Sequence, residues 1–238
     1  MSSEESGIYP QATLCRLRQL TIALLCLAAS LSACGGGGAS SKAPKHEPLT
    51  SAQRDGCKRV RAPHSRGEGH RKNPKGKLDP GRKWSLRVTT NCGSFTIALD
   101  VGAAPNTAAS LVALAKAGFF NGTAFHRIVP GFVIQGGDPT GTGEGGPGYS
   151  TVDKPSADAR YTRGVVAMAK TQDEPAGTAG SQFFVVTGAD TGLPPEYAVV
   201  GRVSKGLDVV ERIGRLGDPA TERPTQAVVV SRVTVQHG

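Results

Sequence analysis

The sequence predicts a mainly β protein, an all-β barrel or sandwich carrying two helices and preceded by a long segment outside the fold. Short apolar runs of strand length recur from Trp84 onward. Only two stretches with helical periodicity interrupt them, whereas βαβ units need a helix after every strand. The 32 glycines and 16 prolines gather in the connections and the N-terminal part, where special backbone angles are required.

The elements follow in order. "WSLRVTTNCGSFTIALD" (84 to 100) alternates apolar and polar residues on both sides of "NCG", the pattern of a hairpin. "PNTAASLVALAKAGFF" opens with Pro105 and Asn106, places Leu111, Val112, Leu114 and Ala115 at helical spacing, and meets Gly118 at its end. Strand-like runs follow at "FHRIV", "FVIQG", "GVVAMA", "FFVVTG", "YAVVGRV" and "AVVVSRVTV", with a second helical stretch, "KGLDVVERIGR", before the last. No internal repeat is present.

The first 82 residues read differently. "CRLRQLTIALLCLAASLSAC" places Arg16 and Arg18 before an apolar run, Leu20 to Leu31, that is too short to span a bilayer as a mature helix. This is the pattern of an export signal. The terminal "LSAC" resembles the lipobox of bacterial lipoproteins, which implies cleavage before Cys34 and a lipid anchor on it; an ordinary secretory signal is the alternative. The acidic start "MSSEESGIYP" is long for such a signal and points to an initiator further downstream. Residues 35–82 hold Gly, Ser, Pro, Lys, Arg and His with almost no aliphatic side chains, so they are expected to form a disordered tether. The tether carries 12 Lys and Arg against 4 Asp and Glu, a net +8, while residues 83–238 carry 14 against 13, a net +1. The basic character therefore belongs to the tether, which suits anionic lipid or wall polymer as well as a plain spacer. A nearly neutral folded part on an exported chain argues against nucleic acid as a partner. Of five cysteines, Cys15 and Cys26 leave with the signal and Cys34 takes lipid. Cys57 and Cys92 remain and are expected to pair outside the cytoplasm, since no histidine sits at ligand spacing beside either one.

Two chemistries compete for the glycine-rich centre. "GTGEGG" (141 to 146) satisfies G-x-G-x-x-G literally. A phosphate cradle needs a helix beginning at the glycines, and "PGYSTVDKPSAD" does not start one; no Gly-Lys-Ser/Thr follows either. The other chemistry concerns the peptide bond before proline. Its rotation faces a barrier of about 18–20 kcal/mol, because the C–N bond loses its partial double-bond character when twisted. No bond breaks, so no nucleophile, metal or cofactor is needed. What helps is an apolar slot for the ring and donors that favour the twisted amide. Arg127, charged at any relevant pH and set among strand apolars, fits as the donor, and Gln135 offers both donor and acceptor to a substrate backbone.

"FHRIVPGFVIQGGD" (125 to 138) together with "GSQFFVVTG" (180 to 188) resembles the cyclophilin-type peptidyl-prolyl cis-trans isomerases, the similarity running from about Trp84 to Val235. The resemblance implies a closed eight-stranded antiparallel barrel capped by two helices over residues 83–238, with the site on its outer face and no cofactor or metal. By position, Arg127 matches the catalytic arginine, and Phe132, Val133, Phe184 and Leu193 match the walls of the proline pocket. Gln135 matches the backbone-binding glutamine, and Ala169, Lys170 and Gln182 match the groove for the preceding residue. Gly192 stands where well-known eukaryotic members carry tryptophan, and Tyr197 where they carry the pocket histidine. Tyrosine still offers an aromatic wall, but without the indole weak cyclosporin binding is expected. Lys170 replaces a usual asparagine, which matters little if the position works through its backbone.

Each residue also has an ordinary reading. His126 is expected to pack or hydrogen-bond within the barrel rather than transfer protons. Phe125, Phe183 and Val185 are expected in the core, and Phe132 and Phe184 would read as core without the family pattern. Arg127 needs a partner or water. The leading expectation is a monomeric, membrane-tethered isomerase acting on proline-containing exported proteins. The alternatives are a proline-peptide-binding chaperone or scaffold module with little turnover, and a purely structural barrel.

Overall fold

The computed structural model describes residues 56–238; the expected signal segment, Cys34 and the tether up to residue 55 lie outside the described residues. Among the described residues, ten strands and two helices follow one another: β1 (Trp84–Thr90), β2 (Gly93–Leu99), α1 (Pro105–Lys116), β3 (Ala124–Val129), β4 (Val133–Asp138), β5 (Thr151–Val152), β6 (Val165–Met168), β7 (Thr178–Ala179), β8 (Phe183–Val186), β9 (Val199–Lys205), α2 (Leu207–Gly214) and β10 (Val230–His237). Eight strands form one curled antiparallel sheet in the order β10-β1-β2-β9-β6-β8-β4-β3, and β5 pairs with β7 separately. That two-residue pair falls in a stretch too short and polar to show alternation in the sequence.

The expected closed barrel is realised as a curled sheet whose edges meet at one corner. Ala124 and Val229 form an isolated bridge, flanked by bonds from Val230 N–H to the Thr123 carbonyl (2.8 Å) and from Phe125 N–H to the Val228 carbonyl (2.9 Å). Asn91 takes both backbone groups of Val229 itself: its side-chain oxygen accepts the Val229 N–H, and its own N–H donates to the Val229 carbonyl.

Period-two alternation sorts the strand residues into two apolar bodies. Ile134, Val166, Met168, Phe183, Val185 and Val200 point into the main core, where they meet Leu111, Val112 and Leu114 of α1 and Val209, Val210 and Ile213 of α2. Phe125 joins Phe183 and Phe120 there in a run of edge-to-face rings, with centroids 6.0 and 6.2 Å apart. Their neighbours Val133, Val165, Ala167, Phe184 and Val186 point outward into a second cluster built on Tyr161. The first turn of α1 is satisfied from a distance: the buried Asp153 carboxylate accepts the Thr107 N–H at 2.6 Å and the Asn106 side-chain amide at 2.8 Å.

Composition predicts an unstructured tether through Arg82, yet the described part of that segment, while forming no helix or strand, is fastened to the domain. Cys57 is disulfide-bonded to Cys92, and Lys58 and Asn91 exchange hydrogen bonds beside it. Further on, the N–H groups of Arg66, Gly69 and Arg71 donate to the carbonyls of Pro139, Gly146 and Pro147. The physical reason is backbone pairing. A polar strap with little to bury is held by hydrogen bonds to a glycine-rich loop that leaves its carbonyls open.

Candidate functional site

Cross-strand register places the expected site residues in a row. Arg127 on β3 stands opposite Gln135 on β4, Gln135 opposite Phe184 on β8, and Phe184 opposite Ala167 on β6. Directly opposed residues share a face, so all four point outward. For Arg127 this requires a correction to strict alternation, because Phe125 lies two residues earlier and is fully buried in the core. A bulge resolves the conflict. Phe125 pairs with Gly136 and Arg127 with Gln135, leaving His126 as the extra residue; the ring at 125 turns in and the guanidinium at 127 turns out.

The outward cluster supplies the apolar side chains expected to wall the slot. Val133 and Phe184 are buried in its floor, and Phe132, Leu193, Tyr197 and Ala169 pack around them half-buried. Tyr161, which the sequence reading did not single out, lies beneath. Its ring meets Phe184 at 6.2 Å and Tyr197 at 5.9 Å, and Phe184 meets Tyr197 edge-on at 5.6 Å. Its hydroxyl donates to the Tyr197 carbonyl and accepts the Tyr197 N–H, and burial pushes its pKa up, keeping it neutral. A lone aromatic in the loop "ARYTRG" gave no periodic signal. Gly192 has a left-handed φ of 66° with no atom near its missing Cβ, so no side chain covers the slot there.

Polar groups line one side in a relay. Arg127 Nη1 donates to Gln135 Oε1 at 3.4 Å, Gln135 Nε2 donates to Gln182 Oε1 at 3.1 Å, and Gln182 Nε2 donates to the carbonyls of Gly143 and Gly145 at 2.7 and 2.9 Å. A groove of about 440 Å³ opens beside it, lined by Gln135, Gly145, Ala169, Lys170 and Gln182, with Glu68 of the strap at its margin. A larger surface groove, about 970 Å³, lies elsewhere, among Arg82, Trp84, Lys154 and Arg202, and contains none of the expected site residues. Lys170 holds its ammonium against Tyr197 and Glu196. The side chain is 2% exposed, with Nζ 3.1 Å from Glu196 and 5.6 Å over the Tyr197 ring, so it braces that wall.

The glycine loop holds an anion of its own. Asp138 accepts the N–H groups of Thr140 and Gly143 at 2.7 and 2.6 Å and the Thr140 hydroxyl at 2.8 Å. Desolvation opposes its ionisation, but these bonds and the Gly145 N–H outweigh it and hold its pKa below the ordinary aspartate value. The amides that a phosphate would need are therefore already taken. Gly137, with φ 90° and the Ser181 carbonyl 2.3 Å from where a Cβ would sit, fixes the approach of β4 to the connection before β8. Among the described residues His126 has no hydrogen-bond partner on either ring nitrogen; burial lowers its pKa, Asp138 opposing and Arg127 adding to the effect.

One contact was not anticipated. Arg127 Nε donates to Glu222 Oε2 at 2.6 Å, the two side chains being 36% and 45% exposed. Glu222 lies in the loop after α2, and "DPATERPT" carries no pattern that would have placed it here. Arg127 therefore has the partner its setting demanded, yet sits at the surface rather than in the core. Among the described residues no group of three or more His, Cys, Asp or Glu is arranged to hold a metal, and no helix is long and apolar enough to cross a membrane.

Comparison with known proteins follows this geometry. A family model described as "Cyclophilin type peptidyl-prolyl cis-trans isomerase/CLD" matches residues 85–235. The chain is 38% identical over 150 residues to peptidyl-prolyl cis-trans isomerase-like 1 of Aspergillus oryzae, covering 61% of this chain and 91% of that protein. It is 37% identical over 164 residues to peptidyl-prolyl cis-trans isomerase A of Mycobacterium tuberculosis, covering 61% and 88%. A Cryptosporidium parvum cyclophilin-type isomerase gives a TM-score of 0.60 at 28% identity, covering 65% of this chain and 98% of that one. The same protein, crystallised in the presence of the dipeptide Ala-Pro, gives 0.59 at 29% identity, covering 64% and 98%.

Proposed function

Because the chain belongs to the cyclophilin-type peptidyl-prolyl cis-trans isomerases and is an isomerase of that class, we propose that it speeds X-Pro rotation in exported polypeptides while anchored by lipid on Cys34 outside a bacterial cell membrane. The observation that carries the catalytic part is the row Arg127–Gln135–Phe184–Ala167, which sets a guanidinium at the rim of an apolar slot on one face.

The proline ring enters the slot over Val133 and Phe184, between Phe132, Leu193 and Tyr197. Binding there removes the ring from water and fixes one side of the scissile-free, rotating bond. Gln135 and the groove by Ala169, Lys170 and Gln182 hold the residues before proline, so the two sides of the amide are gripped separately. As the amide twists, resonance is lost and a lone pair develops on the prolyl nitrogen. Among the described residues Arg127 Nη2 makes no hydrogen bond within the protein, Nε and Nη1 being used by Glu222 and Gln135, which leaves it to donate to that charge or to the proline carbonyl. Stabilising the twisted state more than the planar one shortens a step that otherwise takes about 10–100 s.

Export is supported by the signal-like segment and the "LSAC" ending, and the Cys57–Cys92 bond suits an oxidising compartment. The test has two arms. Exchange NMR on an X-Pro peptide should show accelerated cis–trans exchange with wild type; binding without acceleration would establish a peptide-binding module instead. In cells, the protein should fractionate with membranes and a Cys34→Ser variant should not; equal distribution of the two would remove the anchor from the account.

A further inference from the structure

We propose that Glu222 is a positioning residue for Arg127: it holds the guanidinium by Nε so that Nη1 and Nη2 present toward Gln135 and the slot. This rests on the reading of Arg127 as the catalytic donor. Three observations carry it. The Nε–Oε2 contact, at 2.6 Å, is the shortest polar contact Arg127 makes, and it uses the one nitrogen whose capture leaves the fork outward. Glu222 is the only non-glycine with positive φ among the described residues, at 56°, a left-handed conformation that L side chains adopt at a cost and that gathers at functional sites.

The loop is also built to hold that conformation against the arginine. The Asp218 carboxylate accepts the N–H groups of Ala220 and Thr221, the Glu222 N–H donates to the Asp218 carbonyl, and the Glu222 carbonyl accepts the N–H of Ile128, the residue after Arg127. Backbone and side chain of Glu222 therefore grip adjacent residues of β3. With both side chains more than a third exposed, the charge attraction is screened. What the pair supplies is orientation: an arginine side chain keeps large rotamer freedom unless its fork is held.

The experiment uses the full chain and measures kcat and KM on an X-Pro peptide together with the Arg127 Nε–H resonance by NMR. Glu222→Gly accepts φ 56° without strain and removes the carboxylate. It is expected to lower kcat about fivefold, with KM nearly unchanged, and to broaden the Nε–H signal through faster exchange and rotation. Glu222→Gln keeps an acceptor oxygen and should restore most of kcat and a sharp signal, which a purely electrostatic role would not allow. Glu222→Asn, tolerant of the left-handed turn but too short to reach Nε, should match the glycine variant and gives the test independently. Wild-type kcat and an unchanged Nε–H signal in the glycine and asparagine variants would overturn the proposal, as would a rise in kcat, which would make the carboxylate a damper. If those variants are silent while Arg127→Ala is inactive, only the role of Glu222 fails; if Arg127→Ala is itself fully active, the catalytic reading fails with it.

Discussion

His126 sits next to Arg127 as the extra residue of the bulge, in a setting that suits packing. Its two ring nitrogens lack partners among the described residues and burial lowers its pKa, so it is neutral in the fold. The unfolded chain takes up a proton near the ordinary histidine value of about 6.5, before the native state does. Stability from this residue is therefore complete above that value and is lost as pH falls from it toward the lower folded pKa. Denaturant melts between neutral and mildly acid pH should show wild type weakening and His126→Phe weakening less; identical slopes would contradict the assignment. Asp138 acts in a separate window: its folded pKa is depressed, so its contribution persists until pH drops below about 3.9, the ordinary aspartate value. Acid sensitivity above that point does not come from Asp138.

At the scale of elements, alternation made most of the sheet legible. "WSLRVTT" states which residues face in, and Leu86 and Val88 lie buried on either side of exposed Arg87, whereas the uniformly apolar "FFVV" and "VVAM" do not, and the family pattern was needed to set Phe183 and Val185 inward of Phe184. β3 was not legible in the same way. Phe125 and Arg127 share a parity, and only the extra residue at His126 lets one enter the core while the other reaches the slot. A bulge is a property of the strand pair, so no single strand announces it. Tyr161 and Glu222 were missed for a related reason. They lie in loops with no periodicity, 36 residues from Tyr197 and 95 from Arg127, and only the tertiary fold brings them to the site. Gln135 was found through its donor and acceptor and Gln182 through the family pattern, but their bonds to each other and to the Gly143 and Gly145 carbonyls depend on how the glycine loop folds back.

At the scale of the molecule, the described strap fastens to distant parts of the domain and reaches the groove by Gln182 through Glu68. It is bonded at Cys92, hydrogen-bonded along Pro139, Gly146 and Pro147, and reaches Phe119 through Arg66 Nη2 at 2.6 Å. The loop it pins is the one whose carbonyls hold Gln182. Composition alone read this stretch as tether, because polar residues fastened by backbone pairing leave no apolar trace. The disulfide spans 35 residues, a closure that contributes about 4 kcal/mol on the chain-entropy model. Cys57→Ala is expected to lower the thermal midpoint and to raise hydrogen exchange at Gly69 and Arg71; protection unchanged at both would show that the strap holds without the bond. Loss of the strap should raise KM more than it lowers kcat, since it bears on the groove by Gln182 and leaves the rim at Arg127 in place.

Rotation of an amide without bond breaking needs a donor placed where charge appears, and the proposed function assigns that position to Arg127. The most direct measurement is kcat/KM of Arg127→Ala on an X-Pro peptide in a protease-coupled assay, with the thermal midpoint recorded alongside. A fall of about 100-fold with the midpoint nearly unchanged is expected; a value within about twofold of wild type, well inside the effect of losing even one catalytic hydrogen bond, would contradict the account.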